Sequence, residues 1–171
     1  MAPIAKQVHA RGQKFGLYLN PGVAPAAVKF KTPIENTNCT ADEIALRDHT
    51  GTPLRGNPFG DGYAIDWSHR CAKSYVVSFA NYMVHDLGID FLKMDAVAPG
   101  SANQNATDWP EPPYNIYGNS RDIQEWSEAL EATGKDVWLA ISWARQCNST
   151  TEVLSRIHPK PHGFRLYQLL G

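Results

Sequence analysis

Three times along this chain an apolar pattern of helical period stops at a glycine and a short apolar strand follows within a few residues. The pairs are Gly12 before 14–20, Gly88 before 89–95 and Gly134 before 136–142. A glycine just past a helix end takes the left-handed backbone that closes the last turn, so each one marks a tight helix-to-strand connection. The resulting order is α-β-α-β-α-β-α. Strands separated by helices pair in parallel, since a parallel neighbour is reached only through a crossover. The expected class is α/β, with about three parallel strands and flanking helices.

On the other side of the strands the connections are long, over 21–65 after the first strand and from 96 to about 118 after the second. Enlarged loops at the C-terminal ends of strands are the habit of (β/α)8 barrel enzymes, although doubly wound sheets share it. No Gly-x-Gly-x-x-Gly or Gly-x-x-x-x-Gly-Lys-Ser/Thr follows a strand, which disfavours a nucleotide-dependent oxidoreductase. Segment 21–65 carries Pro33, Pro53, Gly56, Pro58, Gly60 and Gly62 without a sustained period, and is expected to be functional or poorly ordered.

Periodicity fills in the elements. The first helix carries Ile4, Val8 and Arg11 on one stripe. The strand after it puts Phe15, Leu17 and Leu19 on one face and Gly16, Tyr18 and Asn20 on the other. A second helix is expected to start near Asp66-Trp-Ser-His69, with Asp66 or Ser68 as its cap, and to run through Tyr75, Phe79, Tyr82 and Met83 to Gly88. A third opens at Ser120 and carries Ile123, Trp126 and Leu130; a last one covers Thr150 to Arg156.

Gly88-Ile-Asp-Phe-Leu-Lys-Met-Asp95 is the stretch with chemistry in it. Alternation puts Lys93 and Asp95 on one strand face, with Asp95 at the C-terminal mouth where barrel enzymes build their sites. Asp95 is therefore the candidate catalytic carboxylate. An opposite charge nearby favours the ionised form, which is the role expected of Lys93.

Composition narrows the partners. With 16 Lys and Arg against 17 Asp and Glu the 171-residue chain has net charge −1, and without a basic cluster neither nucleic acid nor an anionic membrane surface is an expected partner. No apolar run approaches the roughly 18 residues needed to span a bilayer. The start Met1-Ala-Pro-Ile-Ala-Lys also lacks the apolar region of an export signal. Cys39, Cys71 and Cys147 lack Cys-x-x-Cys spacing, and the six histidines lack His-x-His or His-Glu-x-x-His spacing, so no metal or other cofactor is expected. One disulfide with one free thiol fits the count, with the pairing open. Three acceptor tripeptides, Asn38-Cys-Thr, Asn105-Ala-Thr and Asn148-Ser-Thr, lean towards an extracellular parent protein, against the missing signal. Of the tryptophans, Trp126 and Trp138 fit core positions, while Trp109 and Trp143 lie near strand mouths. Both of the latter are candidate ligand contacts, and Arg145 is a third, with a plain surface position as its equal alternative.

Three segments in order, Ala10-Arg-Gly-Gln-Lys-Phe-Gly-Leu-Tyr18, Gly88 to Asp95 and Val137-Trp-Leu-Ala-Ile-Ser-Trp143, resemble the third, fourth and fifth strands of α-galactosidase-like glycoside hydrolases of family 27, in a clan with family 36. The resemblance implies a (β/α)8 catalytic barrel that hydrolyses α-linked sugars with retention, using no cofactor. It makes Asp95 the nucleophile and puts Tyr18, Lys93, Ser142 and Trp143 against an oligosaccharide or α-glycoside. Met94 stands where the family has an aromatic residue, and Ser142 where galactosidases carry a glutamate. Asp95-Ala-Val-Ala-Pro-Gly-Ser101 is more similar to an isomaltodextranase-like branch that cleaves α-glucosidic linkages. The family's acid/base aspartate follows its sixth strand, yet the last aspartate here is Asp136 and the only later carboxylate is Glu152. The resemblance thus implies that residues 1–171 are a central fragment of one catalytic barrel, with little hydrolase activity when isolated. An inactive carbohydrate-binding remnant is the alternative.

Overall fold

The computed structural model describes residues 1–56, 62–95, 120–141 and 167–168. Its core is a parallel sheet of β1 (Gly16–Leu19), β2 (Phe91–Met94), β3 (Trp138–Ile141) and the two-residue β4 (Tyr167–Gln168), in that spatial order. Helices α1 (Ala2–His9), α2 (Pro25–Lys29), α3 (Ala72–Asn81) and α4 (Ser120–Ala132) complete it, and a π-helical turn, Tyr82–Asp86, extends α3. This is part of a (β/α)8 barrel, as expected. The tail, too short to assign from sequence, contributes β4; the helix expected over 150–156 lies outside the described residues.

Alternation along the strands sorts the two faces. Leu92, Met94, Leu139 and Ile141 are buried against the helices, together with Val76 and Ala80 of α3 and Ile123, Trp126 and Leu130 of α4. Phe79 meets the Trp126 ring edge-on with centroids 5.7 Å apart, so the two helices interlock through aromatic contact. On the opposite face the register sets Gly16, Phe91 and Trp138 in one row and Tyr18, Lys93 and Ala140 in the next. A Cβ at Gly16 would overlap the Phe91 ring, so the first row closes only with glycine at that position.

The three predicted glycine stops hold, with φ of 72° at Gly12, 75° at Gly88 and 70° at Gly134. Three other expectations are corrected. In α1 it is Ala5 that is buried, while Ile4 of the expected stripe is 56% exposed. The second helix begins at Ala72, because Asp66 caps a separate turn by accepting the Ser68 N–H at 2.9 Å and its hydroxyl at 2.6 Å. Trp138 is 42% exposed on the open face and takes no place in the core.

Segment 21–65, outside its undescribed part at 57–61, is a folded cap. It buries Val23, Val28, Ile34, Ile44 and Ile65, and joins itself through single bridges such as Val23 to Tyr63 and Ala45 to Ile65. Bridges one residue long leave no period of two in the sequence, which is why the order was not visible there. A Cys39–Cys71 disulfide closes 32 residues and ties the cap to the start of α3. In the chain-entropy view a loop of that length is worth about 3–4 kcal/mol.

Asp90 clamps the start of the sheet. Its backbone N–H donates to the Phe15 carbonyl at 2.7 Å. Its carboxylate accepts from the Phe15 N–H at 3.0 Å and Lys14 Nζ at 2.9 Å, and lies 2.6 Å from His9 Nε2. Partial burial pushes this carboxyl's pKa up, but the Phe15 amide, Lys14 and His9 together hold it below the usual range. Its stabilising contribution is therefore present above the ordinary aspartate pKa of about 3.9 and lost as pH falls through the lower folded value. Asp90→Asn should lower the urea midpoint at neutral pH, by about 1–3 kcal/mol in stability, and the gap to wild type should narrow at strongly acidic pH.

Candidate active site

The C-terminal ends of β1 and β2 place Tyr18, Asn20, Lys93 and Asp95 together. Parity and register do this: Tyr18 is paired with Lys93, and Asp95 follows β2 directly, its N–H donating to the Leu19 carbonyl at 3.1 Å. Lys93 Nζ lies 5.4 Å from the centroid of the Tyr18 ring and 3.9 Å from Asp95 Oδ2. A cation over a tyrosine face and beside a carboxylate is held by two attractions at once. The Tyr18 hydroxyl faces two acceptors, Asn20 Oδ1 at 2.8 Å and Asp95 Oδ2 at 3.4 Å.

Exposure fits a site at a mouth. Tyr18 is 55% exposed, and the side chains of Lys93 and Asp95 retain 35% and 18%. The Tyr18 pKa is raised, first by partial withdrawal from water and then by the negative charge of Asp95. Chemically the cluster offers a carboxylate that can attack or stabilise positive charge, an ammonium that can donate to hydroxyls, and an aromatic wall.

Tyr18, Lys93 and Asp95, all singled out from sequence, are brought together. Ser142 and Trp143 lie outside the described residues, as do Trp109, Arg145 and Glu152. Asn20 was missed as a site residue, although its place two positions beyond Tyr18 on the same face was the available signal. Trp67 serves structure, its Nε1–H donating to Asp122 Oδ1 at 3.0 Å.

Among the described residues Cys39, His69 and Cys71 bring ligand-type atoms within 4.8 Å of one another. The two sulfurs are joined in the disulfide and offer no thiolate, and His69 Nδ1 accepts the Cys71 N–H at 3.3 Å.

Fold and site together define a segment of a (β/α)8 barrel with a carboxylate and a lysine at one strand mouth. The chain is similar to α-galactosidase-like glycoside hydrolases. Over 155 residues it is 27% identical to alpha-galactosidase 3 of Hypocrea jecorina, covering 86% of this chain and 20% of that protein. It overlays a family 27 β-L-arabinopyranosidase from Geobacillus stearothermophilus with a TM-score of 0.71 at 24% identity, covering 89% of this chain and 31% of the other. A cycloalternan-degrading enzyme from Trueperella pyogenes, solved with cycloalternan, aligns with a TM-score of 0.52 at 21% identity, over 82% and 20% of the two chains. No protein-family model matches. The chain thus spans a fifth to a third of the length of these relatives.

Two measurements check the electrostatics. Asp95→Asn should move the Tyr18 titration, followed by NMR of ring-labelled tyrosine, down towards the ordinary tyrosine value, since the negative charge of Asp95 that helps raise it is removed. Asp122 is buried and its pKa is raised to about 7 by that burial, with the Trp67 hydrogen bond pulling the other way. A raised aspartate costs stability as pH climbs from its unfolded value of about 3.9 to its folded one. Asp122→Asn should therefore lose that decline and be the more stable protein at pH 8.

Proposed function

We propose that this chain is the central part of a glycoside hydrolase barrel that cleaves α-linked sugars with retention, with Asp95 as nucleophile. The observation that carries the reading is the placement of Asp95 at the mouth of β2, beside Lys93 and Tyr18, on the face of the parallel sheet that the helices leave open. Similarity to family 27 glycosidases supports the reaction class.

In this reading Asp95 attacks the anomeric carbon while a second, protonated carboxyl gives its proton to the leaving oxygen; the pair stands about 5–5.5 Å apart in retaining enzymes. Water, deprotonated by that second group, then releases the sugar from Asp95. Lys93 donates to sugar hydroxyls, and Tyr18 lines the pocket and donates to Asp95 or Asn20. Ser142 and Trp143 complete the sugar contacts. With β1, β2 and β3 as the third, fourth and fifth strands, β4 stands in the place of the sixth. The acid/base carboxylate then belongs to the parent protein beyond Gln168, and residues 1–171 are one fragment of a single catalytic domain.

A second reading, hydrolysis of an α-glucan, is favoured by Ser142 in place of glutamate and by the sequence Asp95-Ala-Val-Ala-Pro-Gly-Ser101. The parent is proposed to be extracellular, a compartment in which a disulfide such as Cys39–Cys71 persists.

The test uses the full-length parent with aryl α-galactoside and aryl α-glucoside. Turnover of either should fall by on the order of 10⁴-fold in Asp95→Asn; the preferred aryl glycoside decides between the two sugars. The isolated 171-residue chain should bind without turnover. An Asp95→Asn enzyme with wild-type kcat rejects the assignment.

A further inference from the structure

We propose that Asn38 is an N-glycan acceptor whose window closes when Cys39 pairs with Cys71, so that glycosylation and folding of the cap compete for the same three residues. The inference rests on the proposal that the parent passes through an oxidising secretory route.

Asn38-Cys39-Thr40 is a complete acceptor tripeptide, and Asn38 is exposed on the cap. It borders an open cleft of about 540 Å³ lined also by Asn36, Thr37, Arg70, Cys71 and Ser74. A sugar leaving the surface there displaces no core side chain.

In the folded chain, however, every member of the tripeptide is engaged. Arg70 Nη2 donates to Asn38 Oδ1 at 2.9 Å. The Cys39 N–H donates to Thr37 Oγ1 at 3.1 Å, its carbonyl accepts from the Ile34 N–H at 2.9 Å, and its sulfur is bound to Cys71. Both the N–H and the hydroxyl of Thr40 donate to Glu43 Oε2, at 2.6 and 3.0 Å. Acceptor chemistry needs the Thr40 hydroxyl free to turn towards the Asn38 amide, and the fold directs it elsewhere.

The transfer therefore belongs to the chain before the cap closes. A lipid-linked oligosaccharyl diphosphate supplies the sugar. The bond from its anomeric carbon to Asn38 Nδ2 forms and the carbon–oxygen bond to diphosphate breaks. The amide gives up one proton to a carboxylate base of the membrane oligosaccharide transferase that catalyses the step, and the lipid diphosphate leaves with the electron pair. Cys71 follows Cys39 by 32 residues, which at 5–20 residues per second leaves roughly 2–6 s of synthesis between the two cysteines, before this disulfide can form. Once the disulfide forms, the site is lost, and the predicted product is a mixture of glycosylated and bare molecules.

The experiment is peptide mass spectrometry, before and after enzymatic removal of Asn-linked glycans, on the parent from its own source and on Cys71→Ser made in the same host. Total cell protein is sampled along with secreted protein, so misfolding of the variant does not hide the result. Partial occupancy at Asn38, rising towards full occupancy in Cys71→Ser and vanishing in Asn38→Gln, supports the proposal. A bare Asn38 in both wild type and Cys71→Ser, with the wild-type disulfide formed, overturns it while secretion stands. Equal occupancy in both overturns the competition. Free thiols at Cys39 and Cys71 with no glycan on any of the three tripeptides refute the secretory reading itself, and the inference falls with it.

Discussion

The clasp around Asp90 sets the register on which the rest of the sheet depends. The Asp90 backbone and carboxylate hold both polar groups of Phe15, so β1 and β2 enter the sheet locked together. A slip of one residue would exchange the faces of a strand. It would carry Leu17 and Leu19 to the open side and take Tyr18 away from Lys93. Gly16 under the Phe91 ring enforces the same alignment sterically. The chemistry at one end of the strands is therefore decided by hydrogen bonds at the other, about four residues away, which is the usual division in barrels between a stabilising bottom face and a reactive top face.

Two faces of one short sheet then do different work. The side holding Leu92, Met94, Leu139 and Ile141 is sealed by α3 and α4, and its burial carries the stability of the unit. The other side presents Tyr18, Lys93, Phe91 and Trp138, with Asp95 at its rim. The cap between β1 and α3 is folded onto this scaffold through its own buried residues and through Cys39–Cys71. The strand mouth that holds Tyr18, Lys93 and Asp95 is consequently built on regular elements of the sheet.

Much of this was legible from residue order. Gly12, Gly88 and Gly134 announced the helix ends, and alternation along Phe15–Asn20 and Phe91–Asp95 foretold which side chains would share a face. The cap was not legible, because its order comes from contacts between residues far apart in sequence, such as Val23 with Tyr63 and Cys39 with Cys71. Nor was the late start of α3, since Asp66 reads equally well as the cap of a helix or of an isolated turn. Trp138 misled for a simpler reason: a large apolar side chain suggests burial, whereas its parity with Phe91 assigned it to the open face. Asn20 was passed over because nothing in its type marks it, and only the position of the Tyr18 hydroxyl reveals its part.

The central claim is that Asp95 becomes covalently attached to the sugar. Its most direct test is to trap the full-length parent with an activated fluorosugar that slows release, digest it, and identify the labelled residue by mass spectrometry. A glycosyl mass on the peptide spanning Gly88 to Asp95, located on Asp95, is the result this account predicts. A label on any other carboxylate, or steady turnover without a trapped species, would contradict it.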